Sequence, residues 1–119
     1  MLGNEHPDTL GSINNLGMLL CDQGKLVEAE VLYREALAGQ RRVLGHEHPN
    51  TLGCAGNLGL LLQKLGQLDA AEALLREAVE GLRRVLGPAH PHTRGYVASL
   101  AALLRARGQR AEAARVERG

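Results

Sequence analysis

Five histidines, two cysteines and a spread of carboxylates are the side chains in this 119-residue sequence that could ligate a metal or serve as nucleophile, acid or base. The histidines include two short pairs, His46-Glu47-His48 and His90-Pro91-His92. Zinc would need such ligands gathered within about 2 Å of one point. His6, His48 and His90 instead recur at a fixed interval, one per structural unit, and packed helices stand about 10 Å apart. They are too far apart to share an ion, and neither a metal nor a cofactor is expected. Cys21 falls late in one predicted helix and Cys54 early in another, about 10 Å apart along the axis, which is beyond disulfide reach. Neither has a His or Asp at a spacing that would make it a nucleophile. The sequence contains no phosphate-binding Gly-x-x-x-x-Gly-Lys-Ser/Thr, no dinucleotide fingerprint, no His-Glu-x-x-His and no serine nucleophile elbow. These residues predict no enzyme.

The elements that carry them repeat. His6-Pro7-Asp8-Thr9-Leu10 returns as His48-Pro49-Asn50-Thr51-Leu52 and again as His90-Pro91-His92-Thr93-Arg94, at intervals of 42 residues. Leu2-Gly3, Leu44-Gly45 and Leu86-Gly87 keep the same interval, as do Gly24, Gly66 and Gly108. About 25 of 42 aligned residues are identical between the first two units. The units span approximately residues 2–43, 44–85 and 86–119 of a single domain. Each divides into two helices. Pro7 suits a first turn, where its missing N–H costs nothing, and the following Asp8-Thr9 or Asn50-Thr51 put polar groups at that end. The first helix should run from about Pro7 to Asp22 and stop at Gly24, a residue able to take the left-handed conformation past a helix end. The second should run from about Leu26 to Val43, with an apolar stripe of Leu26, Ala29, Leu32, Tyr33, Ala36 and Val43. So short a turn folds the second helix back antiparallel on the first. Gly17, Ala29 and Ala36, with Gly59, Ala71 and Ala78 one period on, allow close helix approach, and Leu16, Leu20, Leu58 and Leu62 fill the space beside them. Gly11, Gly53 and Gly56 have no such packing reason, although each glycine inside a helix costs about 1 kcal/mol relative to alanine.

Composition agrees with helices. Leu and Ala dominate the apolar set, Trp and Phe are absent, and Tyr33 and Tyr96 are the only aromatics. A net charge of +1 offers no field for nucleic acid or an anionic membrane. No run approaches the roughly 18 apolar residues of a membrane span. The opening Met1–Pro7 lacks the basic and apolar regions of a signal peptide. With only two cysteines, a reduced, cytoplasmic setting is expected.

Leu16-Gly17, Leu20, Ala29 and Tyr33, repeated as Leu58-Gly59, Leu62, Ala71 and Leu75, resemble the tetratricopeptide repeat. The 42-residue period, the linker Leu-Gly-x-x-His-Pro-x-Thr and the following Asn-Leu-Gly are similar to the longer variant found in kinesin light chains. Departures are the missing Trp early in the first helix, Leu20 and Leu62 in place of Tyr, Ala101 in place of Gly, and Glu117 where the second-helix aromatic belongs. The resemblance implies an all-α, right-handed α-solenoid of antiparallel helix pairs, three repeats and six helices. It further implies capture of a protein or peptide segment in a concave groove lined by the first helix of each repeat. Carried over by position, the groove would present Asn14, Asn15, Met18 and Asp22 in unit one. Unit two would add Asn57, Leu60, Gln63 and Lys64, and unit three Ser99 and Arg105. Asn15 and Asn57 match the family's Asn that pairs with a bound backbone, which an amide can do as donor and acceptor; equally they could be solvated helix positions. Met18 and Leu60 are either groove floor or core edge, and Ser99 breaks the Asn series.

The clusters Arg41-Arg42, Arg83-Arg84 and the arginines from Arg105 to Arg118 alternate with Glu35, Glu77, Glu80, Glu112 and Glu117. They read as a solvated, ion-paired face, with an acidic-partner surface as the alternative. Without aromatic stacking platforms, nucleic acid is not an expected partner. The rival to an interaction module is a structural one: a fragment or cap of a longer repeat array, or a scaffold that self-associates through open solenoid ends.

Overall fold

A computed structural model describes residues 7–119, with side chains from Ser12 onward. His6 and Gly11, which enter the repeat and groove expectations, lie outside what it describes at side-chain level. The described chain is six helices: α1 Pro7–Asp22, α2 Leu26–Val43, α3 Pro49–Lys64, α4 Leu68–Val85, α5 Pro91–Ala106 and α6 Arg110–Arg118. No strand occurs among the described residues. Each helix packs on the next, and α3 also meets α5, so helix pairs stack in a row that measures 47 × 30 × 20 Å.

Local chemistry sets each boundary. α1, α3 and α5 stop at Gly24, Gly66 and Gly108, with φ of +80°, +84° and +82°. Past α1, Gly24 N–H donates to Cys21 O and Lys25 N–H to Leu20 O, which satisfies carbonyls the helix leaves open; Gly66–Gln67 and Gly108–Gln109 repeat the pattern. At the other end, Pro49 and Pro91 take the first turn, and His48 and His90 cap the helices through Nδ1, which accepts the N–H of Asn50 and of His92 at 3.1 Å. The linker histidines therefore have a capping role. No group of three His, Cys, Asp or Glu side chains able to hold a metal occurs among the described residues.

The seams between pairs are built from buried leucines and alanines and from linker contacts. Thr51 and Thr93 are wholly buried, and their hydroxyls lie 3.4 Å from Gln40 O and Leu82 O, tying each first helix to the end of the helix before it. Gly17 and Gly59 sit at close approaches, as their spacing predicts: an added Cβ would come within 3.3 Å of the Tyr33 ring and 3.1 Å of Ala71 O. Ion pairs decorate the outside of the seams. Arg41 meets Glu77 at 2.7 Å, Arg84 meets Glu47 at 2.9 Å and Arg76 meets Glu112 at 3.1 Å. Such half-exposed pairs add little to stability.

Two expectations need correction. Leu16, expected to fill space beside Gly17, is 48% exposed, and Leu19 is 51% exposed. Their equivalents Leu58 and Leu61 in α3, and Leu100 and Leu103 in α5, are each 1% exposed. The difference is the preceding helix pair, which covers α3 and α5 and has no described counterpart before α1. Val43, expected on the buried stripe, is exposed, as is its equivalent Val85, because both occupy the last turn of their helices.

Candidate functional site

The first helices of the pairs, α1, α3 and α5, share one side of the stack, and three connected depressions open along it with Asn57 in the wall of each. The first, about 160 Å³, lies between α1 and α3 and is lined by Met18, Cys21, Asp22, Tyr33, Leu60 and Lys64 besides Asn57. Lys64 Nζ stands 3.5 Å from Cys21 Sγ at its rim. The second, about 300 Å³, runs over the start of α3 and is walled by Asn14, Asn15, Gln40, Asn50, His92 and Tyr96. The third, about 370 Å³, continues along α5 beside Leu60, Pro91, His92, Tyr96 and Ser99.

Eight of the ten expected groove residues therefore meet on one surface: Asn14, Asn15, Met18, Asp22, Asn57, Leu60, Lys64 and Ser99. Gln63 and Arg105 line none of these depressions. Arg105 is instead ion-paired with Glu117 of α6, which holds that carboxyl below its ordinary range. Met18 is exposed and Leu60 half-buried, so both belong to the groove wall, although Leu60 also packs against the core. Ser99 spends its hydroxyl on Gly95 O, one turn back in its own helix.

The two asparagines of the series are not alike. Asn15 is exposed on α1. Asn57 is engaged by Tyr96, whose hydroxyl lies 2.6 Å from Asn57 Oδ1 and 3.0 Å from Gly53 O. A phenol has one hydrogen to share between those two oxygens. Burial pushes the Tyr96 phenol up to about 12, the nearby Cys54 thiol adding to the effect. Cys54, buried in α3, is likewise pushed up to about 12 by burial, against a small opposing pull from Arg41. Tyr33 is raised for the same reason. Both thiols are free.

Tyr96 also accounts for Gly56 of α3. An added Cβ on Gly56 would lie 2.4 Å from the edge of the Tyr96 ring, so the ring rests directly on the helix backbone. On Gly53 it would meet only the hydroxyl, at 4.0 Å. The sequence signal was present: a lone aromatic at position 96, one period after Cys54, facing a helix that lacks side chains at 53 and 56. Sequence reasoning also missed Gln40, Asn50 and His92. For Gln40 the signal was a polar residue where unit two has the core residue Leu82.

Stacked antiparallel pairs with Leu-Gly close packing, a 42-residue period and a first-helix groove are now joined by a direct comparison. The family model of the tetratricopeptide repeat matches residues 8–83 and 54–118. The chain belongs to the tetratricopeptide repeat family. Among solved structures it is similar to the nearly identical TPR-like repeats of a putative kinesin light chain of Podosopora anserina, with 31% identity and a TM-score of 0.86. A form of the same protein with one glutamine changed to methionine matches at 30% identity with the same TM-score. BtubC (BKLC) of P. vanneervenii has a TM-score of 0.86 at 21% identity, a likeness of fold. These matches cover 94%, 94% and 93% of the present chain but only 53%, 53% and 44% of those proteins, so it spans about half their length. No curated protein matches the sequence. The kinesin-light-chain type of repeat read from the linker is thus the type its structural neighbours carry. Among the described residues no helix is long and apolar enough to cross a membrane.

Proposed function

We propose that this chain is a protein-interaction module that captures an extended segment of a partner in the groove of α1, α3 and α5. Tetratricopeptide repeats generally mediate protein–protein interaction through a scaffold that is not itself catalytic. The observation that carries the finer reading is the run of three depressions joined at Asn57, in which apolar side chains (Met18, Leu60) alternate with amides. Alternation suits an extended segment, whose successive side chains point to opposite sides while its backbone offers donors and acceptors throughout. Asn15, Asn14, Asp22, Lys64 and Ser99 supply the polar contacts in this reading, and Met18 and Leu60 the apolar ones. Arg105 is assigned to the α5–α6 contact rather than to the segment. The setting is a reducing cytoplasm, in keeping with two free cysteines, and neither nucleic acid nor membrane is the partner.

The test is selection of peptides on the whole chain, followed by Asn15→Ala and Leu60→Glu. Each should weaken a selected peptide about tenfold or more, as truncation of a central contact does. Unchanged affinity in both would sink the groove assignment while leaving the fold intact.

A second reading, that of a structural unit in a longer array or a self-associating scaffold, is favoured by one observation. Leu16, Leu19, Val27 and Val31 are exposed, and the equivalents of the two leucines are buried in α3 and α5 by a preceding pair. Sedimentation velocity over a range of concentrations separates the two; a monomer throughout argues against self-association.

A further inference from the structure

Asn57 borders all three depressions, and its carboxamide is held in one orientation. Tyr96 Oη lies 2.6 Å from Asn57 Oδ1 and 3.0 Å from Gly53 O. The phenol hydrogen goes to the nearer oxygen, because Gly53 O, inside α3, already has its helical partner four residues on. A separation of 2.6 Å fits O–H···O and is short for N–H···O. The amide therefore turns its oxygen toward Tyr96 and its nitrogen away. The ring that carries the hydroxyl is itself fixed, since it rests on the α3 backbone at Gly56, where an added Cβ would come within 2.4 Å of it.

That leaves Asn57 Nδ2. Among the described residues, four buried side-chain nitrogens and oxygens lack a partner: Asn14 Oδ1, Gln40 Oε1, Arg41 Nε and Arg83 Nε. Asn57 Nδ2 has no partner either and is not one of these four, so it opens on the groove rather than into the core. An amide whose oxygen accepts a hydrogen bond is polarised and becomes a stronger donor at its nitrogen. Two N–H groups of a held amide thus stand where the three depressions meet.

The first unit has the same asparagine without the holder. One period before Tyr96 stands Cys54, whose buried thiol lies 3.8 Å from Tyr33 O. Asn15 is exposed on α1, and its side chain makes no hydrogen bond among the described residues. It can turn either edge outward, as donor or as acceptor.

We propose that Tyr96 is a positioning residue that makes Asn57 a donor, so that this asparagine bonds a backbone carbonyl of the captured segment. The inference rests on the groove-capture reading above. A carbonyl is the group that outward N–H groups serve, and an extended backbone supplies one at every residue. Ordering a free side chain costs affinity; at Asn57 the phenol has already ordered it before the segment arrives.

The experiment takes a peptide of zero net charge, selected on the full chain from a library of N-acetylated, C-amidated decapeptides, and measures its affinity by titration calorimetry. Asn57→Asp keeps the shape and an oxygen for Tyr96 but turns a second oxygen outward, and should weaken the peptide about tenfold. Tyr96→Phe keeps the ring on Gly56 and removes only the hydroxyl. It should weaken the peptide about threefold, the loss expected when one side chain must be ordered on binding, and that loss should vanish in an Asn57→Ala background. A hydroxyl that served only the fold would cost the same in both backgrounds, and that result overturns the positioning role. The Asn57 Nδ2 proton resonances should move downfield as peptide is added. Circular dichroism confirms that each variant is folded; should Asn57→Asp fail to fold, the Tyr96→Phe cycle and the resonance shift carry the test. A peptide weakened by Asn15→Ala and Leu60→Glu, but not by Asn57→Asp, overturns the donor assignment and leaves groove capture standing. A library with no binder in the groove overturns both.

Discussion

Substituting Gly56 with Ala should reverse its effect on stability according to what stands at position 96. Alanine in place of glycine within a helix contributes about 1 kcal/mol. At Gly56 the new Cβ would lie 2.4 Å from Tyr96 Cε1 and 2.7 Å from Cδ1, well inside contact distance. Either the ring is forced aside within its site, at about 1–3 kcal/mol for overpacking, or it leaves the site. Leaving exposes apolar surface worth about 1.5–3 kcal/mol and breaks a hydroxyl bond to Asn57 or Gly53 worth about 1 kcal/mol. The cheaper route sets the cost, so Gly56→Ala alone should destabilise by about 1 kcal/mol net. In a Tyr96→Ala background the obstacle is gone and the same change should stabilise by about 1 kcal/mol. Urea unfolding followed by helical circular dichroism gives the four corners of the cycle, with an expected coupling of about 1–3 kcal/mol. Gly53→Ala and Gly95→Ala serve as controls, since an added Cβ meets the Tyr96 hydroxyl at 4.0 Å in the first and nothing within 4 Å in the second. Both should stabilise by up to about 1 kcal/mol. Additivity of Gly56→Ala and Tyr96→Ala within about 0.5 kcal/mol would refute the account of why α3 carries a glycine at position 56.

Removing a histidine cap, by His48→Ala or His90→Ala, should cost about 1 kcal/mol in the same unfolding assay, with Asn at either position restoring most of it. Gly81→Ala should destabilise by about 1–3 kcal/mol, because its Cβ would fall 2.5 Å from Leu52 Cδ2, and Leu52→Ala in the same chain should suppress that cost. Stability should fall as pH rises from about 9 toward 12. Cys54 and Tyr96 each have a folded-state value pushed up to about 12, above ordinary values of about 8.5 and 10. The folded chain therefore keeps protons that the unfolded chain releases, so their contribution is full below the unfolded values and is lost through the folded ones. Cys54→Ala should flatten that decline, and a thiol reagent at neutral pH should modify Cys21 in the folded chain but Cys54 only on unfolding.

Helix limits were legible because each is written in local chemistry: Pro at the start, and a glycine at the stop whose φ is positive. The period was legible because repetition multiplies a weak signal. Exposure at α1 was not, since Leu16 and Leu58 are the same residue in the same local sequence and differ only in what precedes them in space. The Asn series was legible as position but not as state. Only the structure brings Tyr96, 39 residues away, onto Asn57. The orphaned oxygen of Gln40 was hidden for a different reason: between a Gln and a Leu at one core position, sequence shows the polarity but not whether a partner meets it.

A repeat protein offers an internal control that most folds lack. Where two units share a backbone and a residue type, packing explains the residue, as with Thr51 and Thr93, each bonded to the carbonyl at the same offset. Where they share the backbone and differ, folding alone does not explain the difference. Positions 14, 40 and 54 differ from 56, 82 and 96 together, and all six bear on the groove or the core directly beneath it. At the second seam the Tyr96 ring lies on Gly56, its hydroxyl meets Asn57, and Leu82 is buried. At the first, Cys54 stands where the ring would be and Gln40 takes the core position of Leu82. Two nearly identical helix pairs thereby wall a single groove with different side chains, amides at one seam and an aromatic at the next.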